Sequence, residues 1–84
     1  MVEVIVTDLF KHAIKHIKNN SLKERINKHI ENIINNPEIG KFLKYRKFER
    51  KIYIPPYRLI YFYNKEENKI YLLDFDKRDK IYRK

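Results

Sequence analysis

The hydrophobic period of this chain changes from helical to alternating at "NNPEIGK", residues 35–41. From Leu9 to that run apolar residues recur at helical spacing, and after it they alternate. Pro37 cannot continue a helix and Gly40 is the only glycine, so the run divides a helical half from a β half. Each half must bury its apolar side against the other. The expected fold is therefore α+β, with helices on one face of an antiparallel sheet.

In "MVEVIVTD" the alternation of Val2, Val4 and Val6 predicts a short first strand, and Thr7 with Asp8 supplies a helix start. Leu9, Phe10, Ala13, Ile14 and Ile17 form one helical stripe, which Asn19-Asn20 is expected to end. Ser21 with Glu24 matches a capping box and predicts the start of a second helix, with the stripe Leu22, Ile26, Ile30, Ile33 and Ile34. So short a connection predicts an antiparallel helical hairpin with facing stripes. In the β half, strands are predicted over 42–47, 49–54, 57–63 and 69–75. Pro55-Pro56 turns the chain between the middle pair, and "NKEEN", 64–68, closes the last hairpin.

Eighty-four residues predict one domain, 1–84, and 43% hydrophobic with 14% aromatic residues is enough for a core. There is no cysteine, which removes disulfides and thiolate zinc sites. No apolar run reaches membrane length, and the early acidic residues do not suit a signal peptide, so the expected location is the cytoplasm, without a membrane partner. The net charge of +9 is concentrated in one half: residues 1–40 carry 6 Lys and Arg against 5 Asp and Glu, residues 41–84 carry 14 against 6. All seven tyrosines also lie in the second half. Cations interleaved with aromatic rings suit a polyanion with stackable bases.

In "YRLIYFY", 57–63, Tyr57, Leu59, Tyr61 and Tyr63 point one way and Arg58, Ile60 and Phe62 the other. A strand apolar on both sides is central, so Arg58 is expected to emerge from mid-sheet. Such an arginine either pairs with Asp74 or Asp76 or is presented to a phosphate.

Taken together, the short first strand, the helical hairpin, "NNPEIGKFL", the core strand "YRLIYFY", an Ile- and Leu-rich last strand and the terminal "KRDKIY" resemble the RelE/ParE toxin superfamily, more closely its RelE branch. The resemblance covers nearly the whole chain. It implies a microbial-ribonuclease-like fold and a type II toxin that cleaves messenger RNA in the ribosomal A site, restrained by a RelB-like antitoxin. It also implies roles for Lys51, Arg58, Arg78 and Tyr82 in catalysis. Where RelE-like toxins often carry a second lysine, this chain has Tyr53.

RNA carries its own nucleophile in the 2′-hydroxyl, so the enzyme need only accept that proton, stabilise the anionic phosphorus centre and release the 5′-oxygen. His12, His16 and His29 all fall on predicted helices, away from the basic strands. His12 and His16 share a helical face at a metal-binding spacing but lack a third ligand, so neither metal nor cofactor is expected. Lysine replaces histidine as a base where neighbouring positive charge favours its neutral form. Lys51, expected among Arg50, Arg58 and Arg78, is the candidate base. Arg58 and Arg78 are assigned to the phosphate and Tyr82 to stacking or proton transfer. Lys47, Arg50, Tyr53, Lys77 and Arg83 are the further candidates for RNA contact. Weak acid–base groups leave positioning to supply much of the rate, which a ribosome holding the codon provides. Two other readings fit the residues: a ParE-like inhibitor of DNA gyrase, and a non-catalytic RNA-binding module.

Overall fold

Alternation in the β half builds a five-stranded sheet in the computed structural model of the protein, which describes residues 1–77. The elements are β1 (Glu3–Val6), α1 (Asp8–Ile14), α2 (Asn20–Asn35), β2 (Lys41–Phe42), β3 (Glu49–Ile54), β4 (Tyr57–Asn64) and β5 (Lys69–Lys77). Strand order is β1-β5-β4-β3-β2, so β4 is central, as its two-sided apolar character predicts. The α+β reading holds. The first strand completes the sheet at its edge, paired parallel to β5 with Val4 opposite Ile70, which makes the sheet mixed.

Thr7 caps α1: its Oγ1 accepts from Phe10 N at 3.3 Å and donates to Leu72 O at 2.7 Å, fixing the helix to β5. This helix is shorter than its stripe, ending at Ile14, with Ile17 N donating to Ile14 O in a following turn. Asn19 is not the end of α1 but the cap of α2, its carboxamide accepting from Leu22 N at 3.0 Å. Asparagine caps as well as serine does, and starting at Asn19 puts Ser21 inside the first turn. Both helical stripes pack against the sheet. Phe10, Leu22, Ile26 and Ile33 share one core with Ile54, Leu59, Tyr61, Ile70, Leu72 and Phe75.

The strand expected over 42–47 is reduced to Lys41–Phe42. Lys41 pairs with Lys51 and Phe42 with Arg50, so residues 43–48 are consumed by the reversal between antiparallel neighbours. A single residue between 47 and 49 could not have closed that turn. Leu43 N donates to Glu49 O at 2.9 Å and Glu49 N to Arg46 O at 3.1 Å. At the other hairpin Asn68 adopts φ 55°, a left-handed conformation asparagine tolerates, and its carbonyl accepts from Glu3 N. The register of β4 with β5 shifts between Ile60 and Tyr61, so Leu73 stands as an extra residue on β5. No helix among the described residues is long and apolar enough to cross a membrane.

Candidate functional site

Side-chain parity decides which residues can meet on the face without helices. Register sets Lys41 opposite Lys51, Tyr53 opposite Arg58, and Arg58 opposite Asp76. A cleft of about 470 Å³ opens at this corner, lined by Ile39, Lys41, Lys51, Ile52, Tyr53 and Arg58. Three cations thus border one cleft.

Arg58 reaches it from the central strand, its side chain 18% exposed, with Nε 3.4 Å from Asp76 Oδ1. A guanidinium so shielded needs a counter-charge. Of the two expected partners, Asp76 supplies it; Asp74 instead accepts from Phe75 N at 2.8 Å. The contact is single and long, and among the described residues the two terminal nitrogens of Arg58 make no hydrogen bond. That end of the fork can take a second anion. Among the described residues Lys41 and Lys51 form no ion pair.

One wall of the cleft is carried by the segment around Gly40, which Tyr61 holds. Tyr61 is fully buried; its hydroxyl donates to Pro37 O at 2.7 Å and accepts from Gly40 N at 3.0 Å. Burial pushes this phenol above its ordinary pKa, against the lowering influence of the Gly40 hydrogen bond and of Arg50. A Cβ on Gly40 would stand 2.9 Å from Tyr61 Cε1 and Oη and 3.0 Å from the Lys51 carbonyl. Close approach, rather than an unusual φ, is what requires glycine here.

Arg50 reinforces the same wall. Its Nη1 donates to Glu38 O at 3.0 Å and Gly40 O at 2.9 Å, and its guanidinium lies 4.0 Å from the Phe42 ring centroid. The expectation that Arg50 neighbours Lys51 in the site is corrected: adjacent strand residues face opposite sides, and Arg50 is spent on backbone carbonyls. Of the other candidates, Tyr53 lines the cleft with Lys51 and Arg58. Lys47 lies at a second cleft beside Phe62 and Tyr71. Lys77 falls opposite Tyr57, on the helix side, with Nζ 5.9 Å from that ring's centroid. Arg78, Tyr82 and Arg83 lie outside the described residues. Lys41 and Ile39 were not anticipated; the signal for Lys41 is its pairing with Lys51, visible only once the register is known. His12 and His16 meet edge-on at 6.2 Å, and the described residues contain no group of three potential metal ligands.

This arrangement of helices and sheet is that of known toxins. A chain of the intact E. coli RelBE toxin-antitoxin complex superposes with TM-score 0.79 at 17% identity, covering 92% of this chain and 96% of that one. The isolated E. coli RelE toxin gives 0.79 at 17% identity over 98% and 92% of the two chains. A chain of the archaeal RelE-RelB complex from Pyrococcus horikoshii OT3 gives 0.71 at 18% identity over 92% and 94%. These likenesses show the fold. No curated protein gives a significant sequence match. A family model described as the ParE toxin of type II toxin-antitoxin systems, parDE, matches residues 4–82. The chain belongs to that family and so to the RelE/ParE superfamily of type II toxins.

Proposed function

We propose that this toxin is a ribosome-dependent messenger-RNA endonuclease of the RelE kind. The observation that carries the reading is the cleft in which Lys51 and Arg58 meet, with Lys41 beside them, on the helix-free face of a RelE-like fold. The 2′-oxygen attacks the adjacent phosphorus as its proton passes to Lys51, and the P–O5′ bond breaks with the departing 5′-oxygen taking a proton from water. The products are a 2′,3′-cyclic phosphate and a 5′-hydroxyl. The terminal nitrogens of Arg58 bind the non-bridging oxygens, where charge accumulates. Arg78 is assigned to the same oxygens and Tyr82 to stacking or to the leaving oxygen, on family resemblance. No metal has a role in this scheme.

The partners are then a translating ribosome with its message and, for restraint, a small antitoxin, which places the protein in the cytoplasm. The solved relatives include complexes of RelE with RelB, and an acidic, partly helical protein complements a chain of net charge +9.

The test is translation of a defined message in a reconstituted system with cut-site mapping. Wild type is expected to cut within codons held in the A site and to leave naked RNA largely intact. Arg58→Ala is expected to slow cutting roughly 10²- to 10³-fold, the usual loss for a transition-state donor, and Lys51→Ala to slow it while RNA binding persists. Cleavage of naked RNA at the ribosomal rate would refute the reading. One observation favours a second reading: the matching family model is that of ParE. Inhibition of gyrase supercoiling by a toxin that leaves translated messages intact would decide for it.

A further inference from the structure

The helix-free face carries a second cleft, of about 460 Å³, lined by Arg46, Lys47, Phe48, Glu49, Phe62, Tyr71 and Leu73. Phe62 on β4 and Tyr71 on β5 are register partners, and their rings stack at 5.7 Å with an interplanar angle of 26°. Phe48 flanks them with 71% of its surface exposed. Exposed Phe48 with half-buried Phe62 and Tyr71 forms a contiguous aromatic patch rimmed by polar residues, the kind of surface that marks a binding site.

We infer that this cleft is a nucleobase-stacking subsite for single-stranded RNA, on the same sheet face as the Lys51–Arg58 cleft. The inference deepens the ribonuclease reading and rests on it for the identity of the polymer. Three observations support RNA as the occupant. Phe62 and Arg58 share one face of one strand, four residues apart, roughly 13 Å at about 3.3 Å per residue, so one strand of RNA spans both clefts. The only described carboxylate lining the cleft, Glu49, is neutralised by Arg46 at 2.9 Å, while Lys47 forms no ion pair among the described residues and can meet a phosphate. Aromatic residues on adjacent central strands of an open sheet are a recurrent way of stacking unpaired bases.

The experiment uses the full chain and two fluorescent hexanucleotides: oligoadenylate RNA, and the same ribose-phosphate backbone without bases. Wild type is expected to bind the adenylate about 5-fold to 100-fold more tightly, the range of a base stack or two. Phe62→Leu with Tyr71→Leu keeps the apolar volume and removes the rings; Phe48→Ala alters an exposed side chain and cannot unfold the core. Both are expected to reduce the preference for bases while binding of the abasic strand is retained. An equal grip by wild type on both strands, or a preference unchanged in both variants, overturns the subsite. So does retained preference together with weakened binding of a co-expressed antitoxin, which would make the patch a protein interface. Ribosomal cleavage assayed in parallel separates the two failures: cleavage by wild type without base preference sinks the subsite alone, and base preference without cleavage sinks the nuclease reading alone.

Discussion

Tyr61 shows how one hydroxyl can organise a site it does not touch. It closes the Pro37–Gly40 turn from inside the core, and that turn carries Ile39 and Lys41 to the cleft. Tyr61→Phe leaves the Gly40 N–H and Pro37 C=O without their partner and is expected to cost about 1–3 kcal/mol, read as a lower urea midpoint. The same residue sets an alkaline limit. Its folded pKa is raised, mainly by burial, so its contribution is fully present below the unfolded value of about 10. It is lost as pH rises from there through the folded value, because the unfolded chain releases the proton first. Stability measured between about pH 9 and 11 is therefore expected to fall more steeply in wild type than in Tyr61→Phe. Gly40→Ala forces a methyl group against the Tyr61 ring and the Lys51 carbonyl. We expect a loss of about 1–3 kcal/mol by overpacking, seen as a lower melting temperature.

Among the elements, α2 and the β2–β3 hairpin show local signals being outvoted by their surroundings. At 19–24 the capping box expected at Ser21 gives way to Asn19, expected only to end the preceding helix, which does the capping. Asn19→Ala is accordingly expected to cost roughly 0.5–2 kcal/mol, and Ser21→Ala to stay within about 0.5 kcal/mol; equal losses in denaturant titrations would contradict the assignment. At 42–47 the strand-like composition is real, but the chain must reverse before Glu49, and the loop takes those residues. Arg25 then ties α2 to the far end of β3, its Nη2 donating to Pro55 O at 2.6 Å.

For the whole molecule, the decisive feature is that one sheet has two unlike faces. Helices seal the Leu59–Tyr61 side, and the Arg58–Phe62 side collects cations at one end and aromatic rings at the other. Ile60 lies between them and is only 1% exposed, so the ridge joining the two clefts is itself packed. If phosphates bind at the cationic end, affinity for single-stranded RNA must fall with salt through counterion release. Replacing Arg58 by alanine is expected to lower the log–log slope by about 0.7, while substitutions at Phe48 leave the slope unchanged. Anisotropy titrations at several salt concentrations measure this directly.

The change of period at residues 35–41 and the alternation of 57–63 were enough to specify the α+β class, the central strand and the side on which Arg58 emerges. These depend on local periodicity, which is written in neighbouring residues. Pairing across the sheet is not local: that Lys41 meets Lys51, that Arg58 chooses Asp76 over Asp74, and that Arg50 turns away to hold Gly40 all depend on register. The same holds for the lone glycine, legible as a break between halves but required because a buried tyrosine from 21 residues further along approaches its Cα. Sequence determined which faces would exist; only the tertiary structure decided which side chains share them, because register is settled by the packing of the whole sheet.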